Sequence, residues 1–172
     1  MNKALTLMEL VVAISLVGVI ILGAASFDIG SRQMLKSSEG KTQVINEAAL
    51  ILDQMAKDAL TGIGDVAHPA ITITGSVFNI THDDGDGVWE GTDPVISYTF
   101  NSGAHTLTRS IGGGAAETLS NKVMNFVPSL PGDNTADITV TLRRHPNLAV
   151  DTFSNPEVTM QSNVEVPAWS VN

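Results

Sequence analysis

The sequence predicts an α+β fold: one long N-terminal α-helix, apolar in its first half and amphipathic in its second, packed on an antiparallel β-sheet. Three observations lead there. No charged residue occurs between Leu10 and Phe27. From Met34 to Ala59 apolar residues recur at three- and four-residue steps, the period of a helix with one buried face. From Ala70 onward the period becomes two, in short runs separated by Gly, Pro, Asn and Asp, as in strands joined by tight turns.

The elements follow in order. At about 1.5 Å per residue the uncharged run is roughly 27 Å long, just enough to cross a hydrocarbon core of about 30 Å. A single carboxylate, Glu9, stands at its head. A charge within a bilayer costs about 2.5–3.5 kcal/mol on the most lenient scale, so it normally has a partner or a task. The helix then continues with the stripe Met34, Leu35, Val44, Ala48, Leu52, Met55 and Ala59, while Lys36, Glu39, Lys41, Glu47, Asp53 and Lys57 take the other faces. Thr61-Gly62-Ile63-Gly64 ends it, with Gly62 the expected C-cap and His68-Pro69 beyond. The expected helix runs from about residue 6 to about residue 61. Gly18, Gly23, Gly30 and Gly40 lie inside it, each costing about 1 kcal/mol relative to Ala but allowing close helix approach.

Strands are expected at 70–74 and 77–80 around Gly75-Ser76, and at 95–100 and 106–111, joined as a hairpin through Asn101 to Ala104. Gly112-Gly113-Gly114 follows without the Lys-Ser/Thr of a phosphate-binding loop, so a plain loop is expected. Further strands are expected at 122–127, 137–142 and 158–166, with a turn region from Pro128 to Asn134 and a tail through Pro167, Ala168 and Trp169. Arg143-Arg144-His145-Pro146 reads as a solvated strand end.

Ala4-Leu5-Thr6-Leu7-Met8-Glu9, preceded by Lys3 and followed by the apolar run, resembles the class III signal peptide of the type IV pilin and type II secretion pseudopilin family. Thr6, Leu7 and Glu9 match that pattern; Ala4 and Leu5 stand where the family usually has Gly and then Phe or Met. The resemblance implies a leader at 1–4, a transmembrane and filament-core helix at 5–28, and a globular pilin domain at 29–172. It implies that a prepilin peptidase cuts between Ala4 and Leu5 and methylates the new N-terminus. Glu9, then the fifth residue, would pair with the terminal amine of a neighbouring subunit. The implied partners are other subunits, the peptidase and an inner-membrane assembly platform. The implied location is the bacterial inner membrane, N-terminus cytoplasmic, and then a periplasmic or extracellular filament. Charge alone does not give that orientation, because Arg32, Lys36 and Lys41 follow the run more densely than Lys3 precedes it. The strand layout after Tyr98 resembles, less closely, a minor pilin or J-type minor pseudopilin. Many pilins carry a C-terminal disulfide loop and a proline about twenty residues into the mature chain. This chain has no Cys, and Ser26 holds the proline's place.

Composition narrows the function classes. The 172 residues carry a formal net charge of −9. Through Leu60 there are 6 acidic against 5 basic residues, and beyond it 12 against 4, so the excess belongs to the later part. Such a surface disfavours nucleic acid, which is bound through Lys and Arg. A DNA-uptake pilin would need a basic patch, and only Arg143-Arg144 hints at one. Without Cys there is neither disulfide nor thiol chemistry. The four histidines have no metal spacing, and no nucleophile elbow or acid–base pair is evident, so an enzyme is not expected.

The densest polar constellation runs from His82 to Asp93. Laid on a calcium loop of EF-hand type, Gly87 takes the sharp-turn position. Asp84, Asp86, Glu90 and Asp93 take carboxylate positions, and Val88 offers its carbonyl. His82 at the first position is a poor calcium ligand, although Asp83 could swing in. The plain alternative is an acidic turn in water. A membrane-anchored, calcium-dependent adhesion or binding module that never polymerises is therefore the rival to a filament subunit.

Overall fold

The computed structural model describes residues 7–65, 67–132, 135–151 and 153–165. Helix α1 (Leu7–Leu60) is unbroken over 54 residues. No residue from 7 to 39 is buried. Burial starts at Gly40 and continues through Val44, Ala48, Ile51, Leu52, Met55, Asp58 and Ala59. Met34 and Leu35, expected on the buried stripe, are 71% and 64% exposed, because the strands do not extend that far along the helix. The helix ends differently from expectation. Gly62 is not among the left-handed glycines. Instead the Thr61 hydroxyl donates to the Asp58 carbonyl at 2.7 Å, the Gly62 amide donates to the Ala59 carbonyl at 3.0 Å, and Gly62 forms a β-bridge with His82.

Eight strands follow: β1 (Ile71–Thr74), β2 (Val77–Thr81), β3 (Val95–Asn101), β4 (Thr106–Ile111), β5 (Glu117–Ser120), β6 (Val123–Gly132), β7 (Thr135–Arg143) and β8 (Glu157–Glu165). They form two antiparallel sheets, β1-β2-β3-β4-β5 and β6-β7-β8, where one sheet was expected. The β1–β2 turn has Gly75 at φ 62, the positive φ that a two-residue hairpin turn demands at its first central position. β5, absent from the sequence reading, has a single large apolar residue, Leu119, and joins β4 through a register shift. β6 runs on through Pro128, where a turn was expected. It is an edge strand with irregular register, the place in a sheet where a missing amide hydrogen is tolerated.

Both sheets and the helix share one core. Phe78, Ile80, Ile96, Tyr98 and Leu107 come from the first sheet. In β7, Ala136, Ile138, Val140 and Leu142 alternate inward, each at 0% exposure, as a one-sided strand requires. The helix lies nearest β8 and β7.

Candidate functional site

Three regions carry the expected functional residues. At the amino end, Ala4 and Leu5 lie outside the described residues. Glu9 is exposed in the first turn of α1, where the helix dipole favours an anion. Around it Leu7, Met8, Leu10, Val11 and Val12 are all more than half exposed. From Leu10 to Phe27 the apolar residues cover every face of the helix, and none of them is buried among the described residues.

The acidic loop between β2 and β3 is the second region. Asp83, Asp84 and Asp86 each bring a carboxylate oxygen within 4.8 Å of the others. Asp83 Oδ1 accepts the Gly85 amide at 2.9 Å and the Gly87 amide at 3.1 Å, and these bonds hold its carboxyl below the usual carboxylate range. Asp86 Oδ1 accepts the Val88 amide at 2.8 Å. Of the four expected ligands, Asp84 and Asp86 are brought together and Asp83 joins them. Asp93 turns inward, and its Oδ2 accepts the Glu90 amide at 2.7 Å, closing a turn. Glu90 lies beside the Thr92 hydroxyl at 3.3 Å. His82 is held by its Nδ1 against Thr61 Oγ1 at 2.7 Å, so Asp83 takes the place expected for it. The donor set fits a hard cation: three carboxylates at one turn, each with an oxygen to spare. Trp89 anchors the loop by stacking on His68 at 3.8 Å between ring centroids.

The third region was not expected from the sequence. Asp58, on the buried face of α1, receives the Tyr98 hydroxyl at 2.5 Å and Gln54 Nε2 at 3.0 Å. Arg109 of β4 grips it with Nε at 2.6 Å and Nη2 at 3.0 Å. Burial, and then the bond to Asp58, push the Tyr98 hydroxyl far above the ordinary tyrosine range, and the same carboxylate raises Arg109. Every strong donor there is matched, so this is a fastening and not a reactive centre. A smaller fastening lies nearer the domain's entrance: Glu47 accepts Lys122 Nζ at 2.7 Å and the Ser120 hydroxyl at 2.6 Å. A signal for the larger one existed, since Asp58 falls one turn after Met55 on the apolar stripe.

Together these features define an α+β protein with one N-terminal helix, among the described residues, long and apolar enough to cross a membrane. Compared with protein-family models, with curated proteins and with solved structures, the chain matches none.

Proposed function

We propose that the chain is a pilin-like structural subunit of a type IV pilus or type II secretion pseudopilus, of the minor class. The observation that carries this reading is α1 itself. It is anchored in the core only from Gly40 to Ala59, while its first 33 described residues project unburied, and from Leu10 to Phe27 they carry apolar side chains on every face. Such a surface needs lipid before assembly and neighbouring helices after it. In this reading the leader 1–4 is removed, the helix waits in the inner membrane with its N-terminus cytoplasmic, and the assembly platform draws it into a filament. Glu9 then meets a neighbour's N-terminal amine, whose ordinary pKa of about 7.7–8.0 makes it a cation at neutral pH. Each charge offsets the other's desolvation, and the contact sets axial register.

Co-expression with a prepilin peptidase should shorten the chain by four residues and leave N-methylated Leu5, read by mass spectrometry. An intact Met1 beside a correctly cut control prepilin would sink the reading. Glu9→Ala should be cut and inserted normally yet be depleted from sheared filaments.

The convergence of Asp83, Asp84 and Asp86 favours a second reading, a membrane-anchored calcium-dependent binding module. Calcium at millimolar concentration should raise the melting temperature by mass action, and Asp86→Ala should abolish the rise. An unchanged melting temperature would leave the loop an acidic turn.

A further inference from the structure

The β3–β4 turn lies at the opposite end of β3 from the acidic loop. Beside it, where α1 enters the packed domain, is a cavity of about 650 Å³, in the range of small-molecule sites. Gln43 of α1, His105 of the turn, Lys122 between β5 and β6, and Arg144 and His145 after β7 line it. No Asp or Glu lines it, in a chain of net charge −9.

Three features of this cavity are unexplained by packing. Arg144 is half-buried and has no ion-pair partner among the described residues, whereas the adjacent Arg143 is fully engaged by Glu157 and by the carbonyls of Pro146 and Leu148. Its guanidinium is seated on α1 at Gly40, where a Cβ would come within 2.8 Å of Nη1. His105 is the one non-glycine residue at positive φ among those described, at 56°. Its Nδ1 is buried without a hydrogen-bond partner. Buried polar atoms are almost always bonded, and backbone strain collects at functional sites.

We propose that this cavity binds a small polar molecule through an oxyanion, phosphate or carboxylate. The Arg144 fork supplies charge and bidentate geometry. Lys122 adds hydrogen-bond donors, since Glu47, which offsets its charge, occupies only one of the three. The exposed Gln43 amide supplies a neutral donor. The proposal is independent of the filament reading.

The protein's four histidines provide the test, because His105 and His145 line the cavity while His68 and His82 do not. Full-length protein with ¹³C-labelled histidine, in non-ionic detergent micelles at fixed pH, is titrated with inorganic phosphate and separately with succinate. Sodium chloride at matched ionic strength serves as reference. The His105 and His145 resonances should shift and saturate with at least one oxyanion, and the one saturating at lower concentration names the preferred group. His68 and His82 should stay in place. Arg144→Gln should raise the half-saturation concentration about tenfold, the loss of a charge-assisted bond. Gln43→Ala, at an exposed helix position, should also raise it, and serves if Arg144→Gln does not fold. Four resonances drifting together, no saturation, or unchanged binding in a folded variant would overturn the proposal.

Discussion

The two halves of α1 are the same regular helix held in opposite ways. From residue 7 to 39 none of its residues is buried among the described residues. From Gly40 to Ala59 it is gripped on one face by aliphatic side chains and fastened at two carboxylates, Glu47 and Asp58, that reach the first sheet. The difference shows that helical continuity says little about where stability resides. The outer half depends on what surrounds the molecule, and the inner half on residues distant in sequence.

The comparison breaks most visibly at Asp58. Asp58→Ala strips the carboxylate from a part-buried arginine and a buried hydroxyl, and should cost about 3 kcal/mol in thermal unfolding. A loss below about 1 kcal/mol would mean that the fastening contributes little. A subtler effect follows from Tyr98, the chain's only tyrosine. Its folded pKa lies above the unfolded value of about 10, because of burial and then the bond to Asp58. Above that pH the unfolded chain gives up a proton that the folded chain keeps. This contribution to stability is therefore intact below about pH 10 and declines as pH rises beyond it. Tyrosinate absorbance should appear together with the loss of circular dichroism; ionisation near pH 10 in a folded protein would contradict the buried network. The smallest effect should come from removing residues 1–28. No residue from 7 to 39 is buried, so the remainder should stay soluble and folded, with mixed helix and strand in its spectrum and a melting temperature essentially unchanged. A disordered spectrum would show that the outer half supports the inner one after all.

How far the fold was legible follows the same division. α1 and the hairpin of β3 and β4 are written in local periods of 3.6 and 2, so their bounds emerge within about a residue of expectation. The division into two sheets, the short β5 and the run of β6 through Pro128 depend on which strand lies beside which, and no local period carries that. The same holds for sites. Asp84 and Asp86 could be placed together by their spacing, whereas Asp93 was drawn away by the Glu90 amide. Tyr98 and Arg109 meet Asp58 across 40 and 51 residues, and only the misplaced acid on an apolar stripe hinted at them. Arg143-Arg144 looked solvated, but one folds into a carbonyl nest beside Glu157 and the other onto Gly40.

The position of α1 nearest β7 and β8 sets an order of events during synthesis. In the first sheet every strand pairs with its neighbour in the chain, so the meander can form as it leaves the ribosome or crosses a membrane. The helix cannot settle so early, because the surface that closes over Val44 and Ala48 is made last. Until Glu157 to Glu165 have emerged, the part of the inner stripe that β8 covers stays bare, and a chain stopped short of β8 would present that apolar strip to proteases and chaperones.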